Sequence, residues 1–260
     1  MPPVIFIMID GLRPDAIAPA VCPNLKNLLA CSAYTLSARS VMPSITLPCH
    51  TSIFHSVTPE RHGITTNDWH PMARPLPGLM EVAHAAGKHG AFFFNWEQLR
   101  DLSRPGSLRH IYFRDNSYTP HGDLDIAHHA AGYIRDEMPD FAFVYFGTVD
   151  AAGHYYGWMS EGYMNQINLV DQALGTLLNS LPERSTILLQ SDHGGHERTH
   201  GTASPEDMTI PWLVSGPGLR QDYEISSPLS LLDTAPTLAH LLGLNPHPQW
   251  EGRVVTEIFE

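Results

Sequence analysis

Val4-Ile-Phe-Ile-Met-Ile-Asp10-Gly11 decides the fold: six consecutive β-prone apolar residues, then a carboxylate on a turn. An unbroken apolar run has no polar side to show to water. It therefore reads as a strand buried on both faces, the pattern of a parallel sheet covered by helices. In such sheets ligands bind outside the carboxyl ends of the strands, where Asp10 falls. Taken alone, Asp10 is equally well an ordinary turn residue in a D-G pair. Working outward, strands are expected at 34–41, 91–94, Phe141–Phe146, 186–189 and 210–214. Helices are expected at Pro23–Ala30, 49–57, 76–87, 123–137, 163–181 and 230–242. Strands alternating with helices give an α/β class: a doubly wound, mainly parallel sheet sandwiched by helices. Residues 58–75 read as loop. No repeat, low-complexity tract or interdomain linker interrupts residues 1–260, so a single catalytic α/β domain is expected. Residues 97–122, punctuated by Arg, Pro and Gly, read as a small cap or excursion over the active edge.

Composition narrows the function classes. A hydrophobic fraction of 43% against 16% charged residues indicates a folded chain. The formal net charge of −12 argues against a nucleic-acid groove or a basic membrane patch. Sixteen His outnumber the 15 Lys plus Arg, which directs attention to metal ligation. Three Cys, an odd number with no C-x-x-C pair, support neither a disulfide framework nor a structural zinc knuckle. The first apolar run has no basic residue before it and is too short for a signal peptide or membrane span. A soluble, cytoplasmic protein is expected, with its oligomeric state open.

The segment Pro43-Ser-Ile-Thr-Leu-Pro-Cys-His50 puts Thr46 at or just before a helix N-terminus. Free backbone N–H groups and the helix dipole favour an anion there. Alone, the segment reads more simply as a threonine N-cap. Further strands end in Asp150 with His154, on a tight Gly-containing turn (D-A-A-G-H), and in Asp192-His193, followed by Gly194-Gly195; His200 comes next in T-H-G. Each could be a cap or surface residue, but that reading fails for all six at the ends of separate strands. Three Asp and three His offer mixed oxygen and nitrogen donors, suited to zinc first and to manganese or iron less well. Six ligands and a hydroxyl are too many for one tetrahedral ion and suit two. His196 is close enough to be a further ligand or an outer partner, whereas His128 and His129 read as a solvent face.

The pattern D-G … P-S-I-T-L-P … H-G-I-x-x-N … D-x-x-G-H … S-D-H-G … H-G resembles the alkaline phosphatase superfamily, most of all its nucleotide pyrophosphatase/phosphodiesterase branch. Met208-Thr-Ile-Pro-Trp-Leu-Val-Ser-Gly-Pro-Gly218 is similar to that branch too. The resemblance implies two zinc ions on a doubly wound sheet. One would be held by Asp150, His154 and His200, the other by Asp10, Asp192 and His193 with the Thr46 oxygen as fourth ligand. It also implies that the Asn67 side chain helps hold a phosphoryl oxygen. Cys49 stands where the branch commonly has Asn, and the chain is shorter than most members; both leave the substrate open.

The expected activity is phosphodiesterase or nucleotide-pyrophosphatase hydrolysis: Thr46, activated by metal, attacks phosphorus in line and forms a phospho-threonine. The substrate would be a small phosphate ester or nucleotide. Only two Lys occur and no Lys or Arg adjoins the ligand motifs, which favours diesters over the more highly charged monoesters. Trp69 and Tyr155, with Tyr156 and Trp158, neighbour the site residues. They are candidates to stack on a nucleobase or line a leaving-group pocket, or else they are packing residues at the rim. A phosphomonoesterase or a phosphonate C–P hydrolase would use the same ligands. A sulfatase is disfavoured, since Thr holds the nucleophile position and no C-x-P-x-R motif occurs. From another class, a catalytically inactive metal-dependent binding protein would take up metal without hydrolysing any ester.

Overall fold

The run that opens the chain is the fourth strand of an eight-stranded sheet in the computed structural model, which describes residues 2–104 and 106–260. In chain order the strands are β1 (Val4–Ile9), β2 (Ala33–Arg39), β3 (Gly90–Phe94), β4 (His110–Phe113), β5 (Phe141–Phe146), β6 (Thr186–Gln190), β7 (Thr209–Ser215) and β8 (Tyr223–Glu224). Across the sheet they run β4-β3-β5-β1-β6-β7-β2-β8. The five strands from β4 to β6 are mutually parallel, and β7 lies antiparallel to both β6 and β2.

Every residue of β1 is buried, and the two-residue period of a strand divides it between two cores. Val4, Phe6 and Met8 pack with Leu47, Ile53 and Phe54 of helix Thr46–His55 and with helices Leu79–Ala85 and Thr234–Leu241. Ile5, Ile7 and Ile9 pack with helices Pro23–Ala30, Gly122–Glu137 and Glu161–Leu178. This is the sheet sandwiched by helices that the apolar runs predict. No helix among the described residues is long and apolar enough to cross a membrane.

Several elements differ from their sequence reading for physical reasons. The helix expected at 49–57 begins at Thr46, because Pro48 sits inside its first turn, where a missing N–H is no loss. The D-A-A-G-H motif is helix, Thr148–Tyr156, rather than a tight turn. Gly153 serves packing there: a Cβ would lie 2.5 Å from Cε2 of Trp158. The stretch 58–75 contains a short helix, Pro59–His62, and the helix expected at 230–242 opens as a 3₁₀ turn, Leu231–Asp233. Residues 97–122, of which Pro105 lies outside the described residues, contain the 3₁₀ turn Glu97–Leu102 and the edge strand β4. β4 is anchored by stacking: His110 lies on Tyr133 and Tyr112 on His129, at centroid distances of 4.0 and 3.9 Å.

Candidate active site

The carboxyl ends of β1, β5 and β6 meet at one edge, and the chain turns there into the candidate ligands. Asp10 leaves β1 just before Gly11, whose φ is +69° and whose added Cβ would approach the Asp150 Cα to 2.9 Å. Both conditions call for glycine. Asp150 and His154 occupy successive turns of helix Thr148–Tyr156, so their side chains share one face. Asp192 and His193 follow β6 and are fully buried, whereas His200 returns on the loop beyond.

These six side chains form two adjoining groups, Asp10/Asp192/His193 and Asp150/His154/His200, with the donor atoms of each group within 4.8 Å of one another. In the first, His193 Nε2 lies 3.3 Å from Asp10 Oδ1 and 3.4 Å from Asp192 Oδ2. Thr46 Oγ1 is 3.1 Å from the same nitrogen. In the second, the Nε2 atoms of His154 and His200 are 3.1 Å apart and lie 3.5 and 3.6 Å from the Asp150 oxygens. The His193 and His200 rings stack at 3.8 Å and join the groups.

Three observations show that the residues fit divalent cations. First, each imidazole is pinned through Nδ1 to a carbonyl: His193 to Gly194 at 2.8 Å, His200 to Ser44 at 2.8 Å, His154 to Arg198 at 3.0 Å. A carbonyl only accepts, so Nδ1 carries the proton and the Nε2 lone pair faces the group, as in metal-ligating histidines. Second, Asp10 Oδ1, Asp150 Oδ1 and Asp192 Oδ2 are buried without a hydrogen-bond partner among the described residues. Third, burial and then repulsion from neighbouring carboxylates hold the Asp10 carboxyl well above its ordinary range and push Asp192 up to about 7. Burial and then His193 push His200 down to about 4. Crowded anions and bare nitrogens are what a cation would relieve.

Thr46, Asn67, Asp10, Asp150, His154 and His200 line a cavity of about 90 Å³. Thr46 is the first residue of its helix, so its own backbone N–H, which has no partner within the helix, accompanies its hydroxyl. Asn67 Oδ1 accepts the Leu47 N–H at 3.0 Å, which leaves its amide nitrogen for the cavity. No Lys or Arg lines this cavity among the described residues. Trp69 lines a different, largely apolar cavity of about 500 Å³ beside Thr51 and His55. Tyr155, 71% exposed, borders a trough of about 280 Å³. His196 joins neither group: its Nδ1 pairs with Asp207 Oδ1 at 2.7 Å, and Asp207 also accepts from Thr202, bracing the loop that carries His193 and His200. Cys49 Sγ lies 3.3 Å from Ser40 Oγ, which donates to the Asp192 carbonyl.

Five residues escaped the sequence reading. Trp96, Ser117 and Tyr118 line the cavity, and Tyr145 donates a hydrogen bond from within β5 to Asp10 Oδ2. Buried Asp123 accepts hydrogen bonds from the Gly147 and Thr148 amides at the start of helix Thr148–Tyr156. Trp96 was within reach of the rule that strand ends carry sites; Tyr145, inside an apolar run, and Ser117, Tyr118 and Asp123 leave no spacing signal.

Residues 4–203 match the family model described as type I phosphodiesterase / nucleotide pyrophosphatase. Curated relatives include bovine (Bos taurus) ectonucleotide pyrophosphatase/phosphodiesterase family member 3, 26% identical over 75% of this chain and 25% of that protein. Human (Homo sapiens) family member 1 is 27% identical over 74% of this chain and 23% of that protein. The chain thus spans about a quarter of the length of these relatives. Among solved structures, murine ectonucleotide pyrophosphatase/phosphodiesterase 5, an inactive variant in complex with AMP, superposes with a TM-score of 0.83 at 17% identity, covering 100% of both chains. A 2-O GAG sulfatase superposes with a TM-score of 0.81 at 14% identity, covering 97% of this chain and 73% of that one.

Proposed function

The chain belongs to the type I phosphodiesterase / nucleotide pyrophosphatase family, and from that premise we propose that it hydrolyses small phosphodiesters, nucleotide esters among them, with Thr46 as nucleophile. One observation carries the reading: Thr46 Oγ1, at a helix N-terminus, lies 3.1 Å from His193 Nε2 beside two convergent sets of Asp and His. The AMP held by the murine relative supports a nucleotide ester as substrate. Bound at the two groups, divalent ions, with zinc best suited to the donors, would lower the pKa of the Thr46 hydroxyl and of the later water and offset phosphoryl charge.

The chain's own residues do the rest. The Asn67 amide and the backbone N–H of Thr46 hold a non-bridging oxygen where negative charge accumulates. Thr46 Oγ attacks phosphorus, the bond to the leaving alcohol breaks on the far side, and the remaining ester is carried on Thr46. Water then displaces it and frees the threonine. Tyr145 and Gly11 fix the carboxylates: the tyrosine hydroxyl donates to Asp10 and the Gly11 N–H donates to Asp192 at 3.3 Å. All these residues fall within 10–200, so this chain serves as one catalytic unit. With no Lys or Arg lining the cavity among the described residues, a dianionic monoester lacks a further cation, and the diester is favoured. The test compares bis-p-nitrophenyl phosphate, p-nitrophenyl phosphate and a phosphonate ester. Faster diester turnover is expected; dominant monoester turnover would replace this reading with a phosphatase.

A further inference from the structure

The geometry points to the trough bounded by Ser117, Tyr118, Tyr155 and Tyr156 as the seat of the leaving arm, and to that arm as an uncharged aromatic or glycosyl alcohol rather than a polyphosphate. The inference rests on the reading of Thr46 as nucleophile.

Thr46 Oγ1 lies against His193, in the Asp10/Asp192/His193 group. In-line displacement sends the leaving oxygen to the opposite side of phosphorus, toward Asp150, His154 and His200. Asp150 and His154 belong to helix Thr148–Tyr156, and the last two residues of that helix are Tyr155 and Tyr156. The trough of about 280 Å³ shares Ser117, Tyr118 and Ala151 with the catalytic cavity, so the two spaces adjoin.

Ser117 marks the junction. It is 4% exposed, it lines both spaces, and its Oγ has no hydrogen-bond partner among the described residues. A buried hydroxyl left so is unfavourable, and an ester or sugar oxygen entering from the trough satisfies it.

The walls set the chemistry of the arm. Tyr118, Tyr155 and Tyr156 are 79%, 71% and 53% exposed, and the last two stand edge to face at 4.7 Å. Two of the polar groups at its floor are already engaged: Gln166 Nε2 donates to Thr148 Oγ1 and the Pro120 carbonyl, and Thr148 Oγ1 donates to Asp123. No Lys or Arg borders the trough among the described residues. A neutral ring or sugar gains stacking on these faces, whereas a pyrophosphate would meet aromatic walls and the net charge of −12.

The test reads binding as well as turnover. The metal-loaded Thr46→Ala protein is titrated calorimetrically with p-nitrophenyl phenylphosphonate, alone and with Tyr155→Ala/Tyr156→Ala or Ser117→Ala added. Each addition is expected to weaken binding roughly 10-fold, the equivalent of one lost contact. Unchanged affinity in the tyrosine variant overturns the trough assignment, and unchanged affinity in Ser117→Ala overturns the role of Ser117. With Thr46 intact, the tyrosine variant should lose kcat/KM on thymidine 5′-(p-nitrophenyl phosphate) and change little on ATP; an equal loss on both overturns the preference for an uncharged arm. A wild-type protein that cleaves no diester would refute the proposed function alone, because the titration still decides the trough.

Discussion

Asp123 does not line the cavity, yet it holds the helix that presents Asp150 and His154, and replacing it with Asn gives a signed prediction. Its carboxylate accepts from Asn95 Nδ2 at 2.7 Å, Gly147 N at 3.0 Å, Thr148 N at 3.2 Å and Thr148 Oγ1 at 2.5 Å. Those amides begin helix Thr148–Tyr156, so a neighbouring helix supplies the acceptor for its N-terminus. Burial outweighs these bonds and pushes the carboxyl up to about 6 from 3.8. A rise of that size is worth roughly 3 kcal/mol, since each tenfold change in proton affinity is worth about 1.4 kcal/mol. Because the folded pKa is raised, the folded state holds the proton more tightly than the unfolded chain. The contribution is therefore complete below pH ~4 and is lost as pH rises through ~6. Asn does not titrate, so the stability of wild type relative to Asp123→Asn should fall by about 3 kcal/mol between pH ~4 and ~7. Urea unfolding of both metal-free proteins across that range measures the difference, in which shared titrations cancel. The same substitution sets an amide NH₂ against the donors of Thr148, so affinity at Asp150/His154/His200 should drop roughly 10–100-fold while the other group keeps its ion. A stability gap that is independent of pH, or that shifts in favour of wild type as pH rises, refutes the reasoning.

Other outcomes follow from the same geometry. Thr46→Ala should abolish diester turnover while metal content, read by inductively coupled plasma mass spectrometry, stays near two ions per chain. Chelation should lower the thermal midpoint, and divalent metal at ~100 times its Kd should restore about 2.7 kcal/mol per site; a midpoint indifferent to chelator would deny both sites. Tyr145→Phe removes the donor to Asp10 Oδ2 and should cost about 1–3 kcal/mol in unfolding free energy of the metal-free protein, with weaker metal uptake at Asp10/Asp192/His193.

Legibility in the sequence followed the strength of the local signal. β1 and β5 are continuous apolar runs bounded by polar turns, and their limits could be read to the residue. Strand direction has no periodicity of its own, so antiparallel β7 read like any other strand. The six Asp and His were visible because each follows a strand at a motif spacing, and the structure places them in two groups. Gly153 misled because glycine more often marks a turn than a position crowded by an indole ring. Tyr145 was hidden inside an apolar run, where a hydroxyl counts as one more aromatic. Ser117 and Tyr118 reach the cavity only because β4 pairs with β3, a contact that local propensity does not encode.

The central claim is a covalent one, and acid quench of the enzyme during turnover of thymidine 5′-(p-nitrophenyl phosphate), followed by peptide mass spectrometry, tests it most directly. A thymidylyl adduct on the peptide containing Thr46, absent from Thr46→Ala, is the predicted result. An adduct on another side chain, or steady turnover that persists in Thr46→Ala, would contradict it.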